Sequence, residues 1–211
     1  LVGVIDSGVD ENHATDADDG DLYDTYDSSA DWDCVSDDAY PWVDDNAHGT
    51  YVIGLVGATM NNGQGMASVA GGDNGTGGAK VTAYRALSTS HYIQAFRKGG
   101  EEGVEVFNCS WSTGTTPDQG IALVTDSLVT AGHVIVCAAG NWNAPSPRYP
   151  AKHPWTIAVG GSSTDDERCN FSDNCGWKPA AWASNYGDSL DVVAPGMELG
   201  TTDIWGIDYG N

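Results

Sequence analysis

Residues 1–10 read LVGVIDSGVD. Four of the first five side chains are apolar, and the run then stops at Asp6, with Ser7 and Gly8 behind it. An apolar run of this length bounded by glycine reads as a buried strand of a parallel sheet. A carboxylate at its carboxyl end stands where open α/β sheets hold their ligands. The plainer account of a lone strand-end aspartate is an Asx-turn. The rest of the chain decides between the two.

Similar apolar runs recur with turn residues between them: KVTAYRAL, GVEVFNCS, HVIVCAAG, WTIAVGG and LDVVAPG. Helical patterns lie between several of them. PDQGIALVTDSLVTAG places Pro117 at the first helical position, Ile121, Val124 and Leu128 at helical spacing, and Gly132 at the stop. STSHYIQAFRKGG repeats that layout, with a Ser/Thr cap and a glycine stop. Alternating strand and helix predicts an α/β fold, a parallel sheet covered by helices on both faces. Residues 10–45 show no such period and read as a long surface excursion, and 60–79 as a Gly/Asn loop.

The chain has 211 residues, enough for one large domain or two small ones. It carries 30 acids against 8 bases, a net charge of −22. Fifteen of the acids lie between Asp6 and Asp45, and no Lys or Arg precedes Lys80. Such a field repels nucleic acid and anionic membranes, so neither is an expected partner. No apolar stretch approaches a membrane span, and nothing resembles a signal peptide. The chain starts inside a strand without Met, which predicts that it comes from a longer precursor or a partial reading frame. Cys109 and Cys137 sit in apolar runs and read as small core residues. Cys169 and Cys175 bracket a short polar loop and would close a disulfide in an exported chain, whereas Cys34 has no evident partner. No C-x-x-C or paired-histidine spacing suggests zinc.

Four features stand at element ends. Asp6 ends the first strand, and HGTYVIGLVGA puts His48 at the start of a helix. NCSWSTG ends a third strand in small polar residues, and VIVCAAGNWN leaves Asn141 just past a fourth. Singly, each has a bland account as a cap or a turn residue. Together they set a carboxylate, an imidazole and an amide donor at the carboxyl edge of a parallel sheet. That is the equipment of acyl transfer without its nucleophile.

These stretches resemble the subtilisin family of serine proteases (peptidase family S8), whose triad runs Asp, His, Ser along the chain. VIDSGVD is similar to the family's Asp motif, HGTYVIG to its His motif and AAGN to its oxyanion motif. RYPAKHPWTIAVGG resembles its pocket wall, and LDVVAPG the segment leading to the serine. The resemblance implies a subtilisin-like three-layer fold, with residues 1–211 forming one catalytic domain incomplete at its C-terminus. It also implies roles. Asp6 orients His48, His48 takes the proton of the serine, and Asn141 donates to the oxyanion. Ser110, Trp111 and Ser112 form the edge along which a substrate peptide lies extended. Ala138, Ala139 and Gly140, with Tyr149, Pro150 and Ala151, line a pocket for an uncharged apolar residue.

The sequence also departs from the family. Tyr51 stands where a second histidine is common, and Trp142 is expected to narrow or cap the pocket mouth. The G-T-S-x-A motif occurs nowhere. GTT at 200–202 follows the Pro-Gly too soon and lacks the small-residue helix that should come next, so the serine is expected beyond Asn211. The resemblance implies no cofactor for catalysis, polypeptide substrates, an inhibitory prosequence and a secreted or cell-surface location. It also implies structural calcium, with Asn61, Asn62, Asp44 and Asp45 as candidate ligands. Adaptation to high salt is the competing account of the acidity. The alternative function is a non-catalytic relative that serves as a binding or scaffold domain.

Overall fold

A computed structural model describes residues 1–18, 20–171, 182–197 and 199–202. The chain divides into two compact units: the first holds Leu1–Phe107 and, among the later residues described, 200–202, and the second Asn108–Leu199. The expected α/β class holds. Among the described residues are seven strands, β1 (Val2–Asp6), β2 (Trp32–Asp33), β3 (Val81–Arg85), β4 (Val106–Cys109), β5 (Val134–Ala138), β6 (Ile157–Ser162) and β7 (Val192–Pro195). The helices are α1 (Glu11–Thr15), α2 (His48–Gly57), α3 (Thr89–Glu101) and α4 (Gln119–Thr130).

In the first unit the strand order is β2-β3-β1, all parallel, with Val4 opposite Ala83 and Asp6 opposite Arg85. Val4, Val81 and Ala83 are 2% exposed or less and form one core cluster with Ile53 of α2 and Leu22, while Ile5, on the other face of β1, is also buried. β1 is therefore the buried strand its composition demands. β4 carries the chain out of this unit. In the second unit β5, β6 and β7 are parallel neighbours, with Cys137 opposite Ala158 and Gly160 opposite Val193.

Helix ends correct two sequence expectations. Pro117 is not the first residue of α4. Asp118 caps that helix, its Oδ1 accepting from the Gly120 and Ile121 amides at 2.9 and 3.1 Å, and Pro117 precedes the cap. Gly99 and Gly100 do not stop α3, which runs on to Glu101. A Cβ on Gly99 would lie 2.4 Å from the Phe107 ring, so this glycine serves close helix–strand packing. Gly132, with φ of 98°, follows α4 as expected.

Residues 10–45 are not simply a surface excursion. They contain α1, a 3-10 turn (Ser28–Ala30) and the edge strand β2, and they bury Asp21, Asp31 and Asp33. Asp33 pairs with Arg85 across the β2–β3 register, Nη1 to Oδ2 at 3.1 Å. Asp31 accepts from the Tyr26 hydroxyl (2.9 Å), the Thr82 hydroxyl (2.8 Å) and the Ala83 amide (3.1 Å). A two-residue strand leaves no period to read, and the β3 partners of Asp31 and Asp33 lie some fifty positions away.

Burial pushes the Asp31 carboxyl up to about 6, against the hydrogen bonds that favour its charged form. A carboxyl raised on folding costs stability when ionised, and the cost disappears as pH falls below its unfolded value near 3.8. Relative to Asp31→Asn, the wild type should gain about 2–3 kcal/mol between pH 7 and 4. Parallel urea melts of the two proteins measure this difference, and a flat difference would show that Asp31 is ionised without penalty.

Candidate active site

Site geometry in the first unit begins with the turn after β1. Asp6 is 7% exposed, and its Oδ1 accepts from the Ser7 amide at 2.8 Å. The same oxygen lies 2.7 Å from Nδ1 of His48. A carboxylate can only accept, so Nδ1 carries the hydrogen and Nε2 is left as the basic nitrogen. The hydrogen bond from His48 to Asp6 raises the histidine above its ordinary 6.5, opposed by burial and aided by the charges of Asp6 and Asp44.

What brings the two residues together is the start of α2. Its first N–H groups have no intrahelical acceptors, and its cap residue, Ala47, is left-handed with no side-chain cap. Three other side chains replace that cap. His48 N donates to Asn46 Oδ1 (2.9 Å), Gly49 N to Ser7 Oγ (2.9 Å) and Thr50 N to Asp44 Oδ2 (2.8 Å). Asp44 also accepts from the Ser7 hydroxyl at 2.7 Å and from the Thr50 hydroxyl at 2.7 Å. Backbone also closes on backbone, since a Cβ on Gly49 would lie 2.1 Å from the Gly8 carbonyl oxygen. The glycines of D-S-G and H-G-T are there for contact.

Asp44 and Ser7 are the site residues whose part the sequence did not disclose. Asp44 was expected among calcium ligands, yet both its oxygens are engaged by Ser7 and Thr50. Asn61 donates to Asp73 at 2.9 Å, Asn62 accepts from the Gln64 amide at 3.2 Å, and Asp45 is exposed. Among the described residues no three His, Cys, Asp or Glu side chains gather as a metal cluster. The threonines of GTT donate to α2 carbonyls, Thr201 to Tyr51 and Thr202 to Thr50. Their hydroxyl hydrogens are thereby committed to the helix backbone.

The second unit gathers most of the expected substrate residues. Ser110, Trp111, Ser112, Ala138, Gly140 and Asn141 line one cavity of about 100 Å³ together with Trp142. Trp142 is half-exposed, with the Arg148 guanidinium 3.5 Å over its ring. Ala139 is buried and lines the adjoining cavity of about 310 Å³. Tyr149 and Pro150 line neither. Tyr149 instead pairs with Gly114, donating to its carbonyl at 2.9 Å. Cys34, Cys109, Cys137 and Cys169 are buried, burial pushing the Cys34 thiol up to about 12. The expected Cys169–Cys175 bond falls on Cys175, outside the described residues. No helix among them is long and apolar enough to cross a membrane.

Parallel strands ending on an aspartate hydrogen-bonded to a histidine define an α/β domain equipped for acid–base chemistry. The chain belongs to the subtilase family, whose model matches residues 1–209. It is 31% identical over 211 residues to Subtilisin NAT of Bacillus subtilis subsp. natto, covering 95% of this chain and 48% of that protein. Over 207 residues it is 28% identical to Thermitase of Thermoactinomyces vulgaris, covering 95% of this chain and 64% of that one. A solved cold adapted subtilisin-like serine proteinase matches with a TM-score of 0.70 at 24% identity, over 96% of this chain and 65% of that one. At that identity the likeness is one of fold. The chain spans about half the length of the curated subtilisins it matches.

The raised His48 titration has a direct check. Its ring resonances should titrate with a midpoint above 6.5 in the wild type, and Asp6→Asn should bring that midpoint down. Asp44→Asn should lower it by less, because Asp44 acts on the ring only through its charge. Equal midpoints in all three proteins would contradict this account of the dyad.

Proposed function

We propose that this chain is the larger part of the catalytic domain of a secreted subtilisin-like serine endopeptidase, whose serine lies beyond Asn211. The observation that carries the reading is the 2.7 Å hydrogen bond between His48 and a buried Asp6. In this mechanism Asp6 holds the imidazole in the tautomer that leaves Nε2 basic and stabilises the imidazolium when it forms. His48 takes the serine proton and returns it to the leaving amine. Asn141 donates its amide hydrogen to the oxyanion as charge develops. The substrate lies along 110–112, with an uncharged apolar side chain entering the pocket beside Ala138 and Gly140. Its substrates are polypeptides, and an inhibitory prosequence accompanies the enzyme. The net charge of −22 argues against nucleic acid as a partner.

A serine-directed fluorophosphonate and a casein assay test this on two proteins, residues 1–211 and the natural chain extended through the next helix. The extended form should be labelled and active and the short form neither, while Asn141→Ala should lower kcat roughly 10²–10³-fold, as such a donor does in subtilisin. Labelling of the short form would place a nucleophile within these 211 residues. An unlabelled extended form would favour the binding-domain alternative.

Calcium and salt adaptation separate by a second measurement. Structural calcium near the loop 61–65 predicts that a chelator lowers the Tm at every NaCl concentration. Adaptation to salt predicts instead that NaCl raises the Tm whether or not chelator is present, by screening the net charge of −22.

A further inference from the structure

We propose that Asn185 is a positioning residue for the oxyanion donor, acting through the backbone on either side of Asn141. The proposal rests on the role given to Asn141 above. Asn185 is fully buried, at 0% exposure. A buried amide is costly unless its donors and acceptor are met, and here they are met by one stretch of main chain. Its Oδ1 accepts from the amides of Trp142 and Ala144, both at 3.0 Å. Its Nδ2 donates to the Ala139 carbonyl at 3.0 Å, and its own amide donates to the Gly140 carbonyl at 2.8 Å.

These four bonds bracket Asn141, two on the residues before it and two on those after. The chain there has left β5; the Ala139 amide still donates to the Val159 carbonyl of β6 at 2.8 Å, and the groups beyond it need partners outside the strands. One primary amide supplies both an acceptor and a donor, as a neighbouring strand would. Gly140 makes room for it. Its φ is 107°, and a Cβ there would lie 2.7 Å from Asn185 Nδ2. Asn141 itself is held through its carbonyl, which accepts from the Ala183 amide at 3.2 Å, while its exposed side chain lines the cavity with Ser110 and Gly140. An oxyanion donor is effective only if its position is set before charge develops.

Hydrogen exchange and a double-mutant cycle test the proposal. Asn185→Ala should speed exchange of the Trp142 and Ala144 amides by about tenfold or more, and leave that of Cys137 within β5 nearly unchanged. In the extended enzyme it should lower kcat with little change in KM. In an Asn141→Ala background it should cost almost nothing further, because the group it positions is gone. Unchanged exchange, or losses that multiply, would overturn the proposal. No loss from Asn141→Ala alone would instead remove the oxyanion assignment beneath it. Should Asn185→Ala not fold, Asn185→Asp serves. Its carboxyl keeps the acceptor for both amides but donates to the Ala139 carbonyl only when protonated, so kcat relative to the wild type at the same pH should recover as pH falls, and a failure to recover would overturn the role.

Discussion

The start of α2 is a helix end without a cap of its own, and most of the dyad's geometry follows from how that deficit is met. Left-handed Ala47 offers no side-chain acceptor, so the first three amides turn to Asn46, Ser7 and Asp44. Ser7 belongs to the turn after β1. Its hydroxyl accepts from Gly49 and donates to Asp44, while its amide holds Asp6. Satisfying the helix therefore also seats His48 against Asp6. Loss of Ser7 or Asp44 would leave a buried or half-buried N–H without its partner, at a cost of about 1–3 kcal/mol.

The same economy governs the second unit. There a single buried side-chain amide meets three main-chain groups on either side of Asn141. The two cases share a physical cause. Functional side chains at strand ends sit where the regular hydrogen-bond ladder stops, so the backbone that carries them must be satisfied by side chains from elsewhere. Residues such as Ser7, Asp44 and Asn185 then matter through the backbone they hold.

The acidic segment shows how composition can mislead. Fifteen acids in forty residues suggested a solvated loop, and several are solvated, such as Asp37 and Asp45. Asp31 and Asp33 are different. One is met by three donors and the other by Arg85, and both stand at the edge of the first unit's sheet. Charge density says nothing about which carboxylates will find donors, because Thr82, Ala83 and Arg85 come from β3, far along the chain.

By itself the sequence determined six of the seven described strands, because apolar runs bounded by glycine have few other uses. It put Asp6, His48 and Asn141 at or just past element ends; the two-residue β2 escaped it. Tertiary structure alone decided what holds them. That Asp44 braces a helix start, that Asn185 clamps a loop and that Gly99 packs against Phe107 without ending its helix are all contacts between residues distant in the chain. Local pattern records burial and period. It does not record which distant donor a polar atom will meet, since that depends on three-dimensional approach to within a few ångströms.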